Sequence, residues 1–183
     1  MRAIWTRLAP GIATLALALA SGAANADCDF LTGGGFIIPN GANANFGVAG
    51  GCKDGTPTWG HLEYIDHGAS PSLNVHWTEI TAYLPDELDA KARFICGKAR
   101  TNLYGPVDFA VRAKDAAEPG VDDEFDIQLT QPQGNANVSR YTTNFNFEPG
   151  HAHKLNGGNI QLHGPRAGDF DGSCPARFAF GGA

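Results

Sequence analysis

From Phe30 onward, apolar and polar residues alternate with a period of two over most of the chain, the signature of half-buried strands. The clearest case is Val107 to Leu129. Val107, Phe109 and Val111 alternate with Asp108, Ala110 and Arg112, and Phe125, Ile127 and Leu129 alternate with Glu124, Asp126 and Gln128. Two facing strands are expected here, joined by the long acidic loop Lys114 to Asp123. Further strands are expected over Phe30 to Pro39, Asn45 to Cys52, Trp59 to His67, Leu73 to Leu84, Ala92 to Asn102, Tyr141 to Phe147 and Leu155 to Leu162, with a last edge at Phe178 and Phe180. In Leu73 to Leu84 the apolar parity switches between Trp77 and Ile80, which predicts a β-bulge near Thr78-Glu79. Pro85 to Lys91 is read as one helical turn and Gln131 to Val138 as a polar loop. About nine or ten short strands, spaced for short connections, define an all-β fold: a single-domain antiparallel β-barrel or β-sandwich, largely meander connected.

Met1 to Ala26 breaks the pattern and reads as a cleaved export signal. Arg2 and Arg7 precede an apolar run from Leu8 to Ala20, and Ala24-Asn25-Ala26 is an A-x-A site before Asp27. The run is shorter than the roughly 20 residues a bilayer span needs, so no membrane insertion is expected after cleavage. The domain is then residues 27–183. Losing Arg2 and Arg7 leaves 11 basic residues against 19 acidic ones, a charge of −8 that argues against nucleic acid as a partner. A secreted or periplasmic location follows.

All four cysteines fall after the leader, and their spacing fits neither a redox C-x-x-C nor a zinc site. Two disulfides are expected. Of the three connectivities, Cys28 with Cys174 and Cys52 with Cys96 is the pairing taken, because it ties the chain ends and joins two strand segments.

Three groups of residues bear on chemistry. Asp115, Glu118, Asp122 and Asp123 bring hard oxygen ligands together and suggest a Ca²⁺ site, against the plainer reading of a solvated hairpin loop. The six histidines include His61 and His67, on one strand face but about 20 Å apart at 3.3 Å per residue, too far to share a metal. His151 and His153 have better ligand spacing but no third partner. Asp66, His67 and His163 are expected to meet at one sheet end as a buried hydrogen-bond network, or alternatively as the catalytic group of a small hydrolase or cyclase-like enzyme. Glu63, Glu79 and Glu118 offer carboxylates for glycoside cleavage without a readable separation. No G-x-S-x-G elbow exists. The expected role is therefore a binding or structural module with an unknown protein or glycan partner at the cell surface.

Six ordered motifs, TGGGFI (Thr32 to Ile37), NFGV (Asn45 to Val48), GHLEYIDH (Gly60 to His67), LNVHWTEIT (Leu73 to Thr81), EPGVDDEFDI (Glu118 to Ile127) and GGNIQLH (Gly157 to His163), resemble the motif string of post-COAP type secreted bacterial domains. The resemblance implies an exported all-β module, alone or attached to larger surface proteins, and carries no established activity. The Cys52 and Cys96 positions and the Gln131 to Tyr141 stretch depart from that pattern.

Overall fold

A computed structural model describes residues 28–53, 56–134, 136–148 and 150–175. The expected leader, the cleavage site before Asp27 and the Phe178/Phe180 edge lie outside these. The described chain is all-β: β1 (Phe30–Ile37), β2 (Ala44–Gly51), β3 (Trp59–Asp66), β4 (Leu73–Asp86), β5 (Asp89–Thr101), β6 (Gly105–Lys114), β7 (Glu124–Gln133), β8 (Ala136–Thr142), β9 (Gly157–His163) and β10 (Asp171–Gly172). They form one antiparallel sheet in meander order from β8 back to β1, with β9 added beyond β1 and β10 beside β4.

The sheet rolls on itself because most of its large apolar positions lie on one face, while Phe94, Cys96 and Ala110 on the other face of β5 and β6 are covered by Phe147 and the Cys174 segment. Phe46 of β2 stacks on Phe125 of β7 with ring centroids 3.8 Å apart, although four strands lie between them. Leu31, Leu62, Tyr64, Val75, Ile95, Phe109, Ile127 and Ile160 fill the same interior. The central hairpin is as its alternation predicts, with Phe109 opposite Leu129 and Val111 opposite Ile127. A register shift between Trp77 and Glu79 is the expected bulge.

Three local readings are corrected. Pro85 to Lys91 is no helical turn but the tip of the β4–β5 hairpin, because the carboxylates of Asp86 and Asp89 accept the N–H groups of Leu88 and Lys91 and fix a turn. Gln131 to Val138 is the β7–β8 hairpin; Pro132 is tolerated because it lies past Thr130, the last β7 residue paired with β6. The strand expected through Phe147 stops at Thr142. Thr143 and Asn144 turn their side chains onto Asp126, and the chain enters a short 3-10 turn over Phe145–Phe147 with Asn146 and Phe147 in the left-handed region.

The ladder leaves a seam between β7 and β9, and the acidic loop fastens it. His153 to Leu155 pairs with the start of β7 through Phe125 N–H to His153 O (3.0 Å) and Leu155 N–H to Asp123 O (2.9 Å). Beyond that, the outward N–H groups of Ile160 and Leu162 are accepted by Asp123 Oδ2 (2.7 Å) and Asp115 Oδ2 (2.9 Å).

The disulfide pairing is also corrected: Cys28 bonds Cys52 and Cys96 bonds Cys174, with Cα atoms 5.7 and 5.4 Å apart. Cys28 and Cys52 flank the Phe30–Gly51 pair at the open end of the β1–β2 hairpin. Ala82 pairs with both Gly172 and Cys96, and this brings the Cys174 segment across β4 to β5. Peptide mapping of the non-reduced protein should recover 28–52 and 96–174 links with no alkylatable thiol; a 28–174 link would overturn this connectivity.

Candidate binding site

The residues singled out in the sequence have separate fates. The acidic loop does not gather its carboxylates on one point. Asp123, fully buried, accepts from Ala116 and Ile160. Asp115 accepts from Leu162, Asp122 pairs with Lys154 at 2.6 Å, and Glu118 accepts from Asn159. Among the described residues no group of three or more His, Cys, Asp or Glu is placed to hold a metal ion.

Asp66, His67 and His163 do not meet. Asp66 lines up through Ala44 with Ile37 at one end of β1, whereas His163 pairs with Phe30 at the other, seven residues or about 23 Å along the strand. His67 is exposed and bonds Asn45; His163 stacks on Phe30 and bonds Thr32. Asp66 is buried in a network, but its partners are Gly68 N–H and the Tyr141 hydroxyl, which in turn sits 2.6 Å from the Tyr64 hydroxyl. Burial raises the pKa of both phenols, so they stay protonated and can supply the donors this chain needs.

His151 and His153 divide in the same way. His151 faces Glu148 on the surface, while His153 donates its Nδ1–H to Asp126, a fully buried carboxylate 2.7 Å away. Asp126 also accepts from Thr143 Oγ1, Asn144 Nδ2 and the His153 N–H, so it ties the segment 143–153 down over β7. Of the three glutamates, Glu63 lies on the outer face of β3 against His76, Glu79 on β4, and Glu118 at the seam.

The Asp126 bond raises the His153 pKa above its ordinary value near 6.5, burial opposing it only in part. A raised folded-state pKa means that the folded chain holds this proton more tightly than the unfolded one. Its stabilisation is therefore complete below pH 6.5 and is lost as pH rises through the folded value. Urea unfolding from pH 5.5 to 8 should show stability falling with pH in this window, with the slope reduced in His153→Gln.

Sequence reading missed the group of charges on the outer face beside this knot. Arg112 of β6 donates Nε to Asp86 (2.8 Å) and Nη1 to Glu124 (2.7 Å); Lys114 reaches Asp89 (2.7 Å) and Glu124 (3.5 Å). Burial works against the Arg112 charge, but Glu124 and Asp86 outweigh it, and the Asp89 bond raises Lys114. Together with Leu88, Phe94, Phe147, Gly150 and Ala152 they line a cavity of about 190 Å³. Half of the cluster was readable, since Lys114 and Glu124 are cross-strand partners in the hairpin register. Asp86 and Asp89 were hidden by reading their turn as helix.

No protein-family model, curated protein or solved structure matches this chain.

Proposed function

We propose that this is an exported β-domain that acts as a binding or structural module, of the kind its resemblance to post-COAP type domains implies. The observation that carries the reading is the filled interior. Phe46, Tyr64 and Phe125 stack across it, the Tyr64–Tyr141–Asp66 chain occupies one end, and the buried Asp29 carboxylate is taken up by Tyr83 and Arg93, so the buried polar groups named here are engaged with one another. The two disulfides suit an oxidising compartment. The partner is a protein or glycan at the cell surface.

The reading is tested by expressing the full chain in a bacterial host. An exported product shortened to Asp27, without free thiols and retained saturably by isolated cell envelopes, is the expected result. Cytoplasmic retention would defeat it. Esterase or glycosidase turnover abolished by Asp66→Asn or His163→Gln would replace the module with an enzyme.

A further inference from the structure

The cavity beside Arg112 has features that a purely structural ion cluster does not need. Its charged side chains are largely withdrawn from water: Asp86 is 8% exposed, Arg112 12% and Glu124 17%. Holding such charges away from solvent is costly, and apolar residues of similar volume often serve stability as well or better. Close packing normally leaves few voids larger than a water molecule, whereas here about 190 Å³ stays open between the charges and an apolar wall. That is below the roughly 300–1,000 Å³ typical of pockets for drug-sized ligands, and so suits a smaller molecule.

The hydrogen bonding of the cluster is also incomplete. Arg112 uses Nε on Asp86 Oδ2 and Nη1 on Glu124 Oε2, but Nη2 makes no hydrogen bond, its ion pair with Asp89 Oδ2 standing at 3.8 Å. Glu124 Oε1 has only Lys114 Nζ, at 3.5 Å. One donor group and one acceptor atom, on two residues that line the cavity, are therefore left unused. The apolar wall is equally definite. Phe94 and Phe147 meet edge to face with ring centroids 5.5 Å apart, and Phe147 holds this place at φ 51°, in the left-handed region that a bulky residue seldom adopts. Leu88, which also lines the cavity, is 68% exposed.

We propose that this cavity binds a free α-amino acid with an apolar side chain. The ligand's carboxylate accepts from Arg112 Nη2, its ammonium donates to Glu124 Oε1, and its side chain lies against Phe94 and Phe147 and covers Leu88. A zwitterion adds no net charge to a cluster of three carboxylates and two cations. A simple anion would face Asp86, Asp89 and Glu124 without an ammonium to offset them, and a simple cation would face Arg112 and Lys114 and leave Nη2 without an acceptor. This ligand goes beyond the envelope partner of the module reading and does not depend on it.

The test titrates L-leucine and L-phenylalanine into the ¹⁵N-labelled oxidised protein at millimolar concentrations. Each is compared with its analogue lacking the ammonium (isocaproate, hydrocinnamate) and its analogue lacking the carboxylate (isoamylamine, phenethylamine). At least one amino acid should shift the amides of Leu88, Arg112 and Glu124, and its two analogues should bind roughly tenfold more weakly or worse, since each loses a charge-assisted hydrogen bond. Glu124→Gln should weaken amino acid binding by a similar factor. Leu88→Ala, a change at an exposed hairpin tip, should weaken it without moving Tm, which separates lost contact from lost folding. Absence of amino acid binding, shifts confined to residues away from the cavity, or an analogue that binds as tightly as its amino acid overturns the assignment. Retention of the domain by cell envelopes is read separately and survives each of these failures.

Discussion

Asp123→Ala is expected to lower the unfolding free energy by about 4 kcal/mol. Asp123 is fully buried and its two oxygens accept the N–H groups of Ala116 and Ile160. Alanine strands the buried Ile160 N–H, at about 1–3 kcal/mol, and takes from the part-buried Ala116 N–H a bond to a charged acceptor, worth about 1.5–3 kcal/mol. The damage is concentrated on one line of the molecule. Ile160 belongs to β9, whose other edge is fully paired with β1, so this carboxylate is among the few groups that hold β9 toward β7. Hydrogen exchange should therefore quicken first at Ile160 and Leu162, before Leu31 or Val48. Asp115→Ala, which removes one bond at a partly buried site, should be milder. Urea denaturation checks the size; a loss under about 1 kcal/mol would mean that the backbone bonds at Phe125 and Leu155 close the seam unaided.

Asp29→Ala is expected to be at least as severe. Asp29 accepts from the Tyr83 hydroxyl at 2.6 Å and from Arg93 through Nε and Nη2, and all three residues are buried. Removing the carboxylate strands a guanidinium away from water, which typically costs about 3–5 kcal/mol. The carbonyls of Ala90 and Ala92 still accept from Nη1, so the loss should stay within that range. Because the charge is the cause, Asp29→Leu combined with Arg93→Met should recover much of the loss. If the double variant is no better than Asp29→Ala, packing rather than the stranded charge explains the defect. Thermal and urea unfolding of the oxidised protein, with the neighbouring Cys28–Cys52 bond intact, measure both.

The sheet was readable because period-two alternation encodes which face is buried. The register of β6 with β7, the outward face of β3 and the bulge after Trp77 all follow from it. Two of the failures share a cause: short polar side chains that make local hydrogen bonds override the alternation. Asp86 and Asp89 make a hairpin tip out of a segment with helical composition, and Thr143 and Asn144 pull an alternating segment off the sheet toward Asp126. The acidic loop looked like a ligand set because its carboxylates are close in sequence. Their partners, Leu162, Ile160, Asn159 and Lys154, lie 32 to 47 residues away, and no local pattern announces them. The same holds for the cysteines, whose pairing depends on which strand edge the Asp171–Gly172 segment joins.

The two disulfides join the first cysteine to the second and the third to the fourth. In a chain that emerges amino terminus first, from ribosome or translocon, Cys28 meets Cys52 before Cys96 has appeared. Cys96 then has no other free thiol to meet but Cys174. Oxidation in order of emergence thus yields the native connectivity directly, so an oxidant suffices for maturation and a disulfide isomerase has nothing to correct.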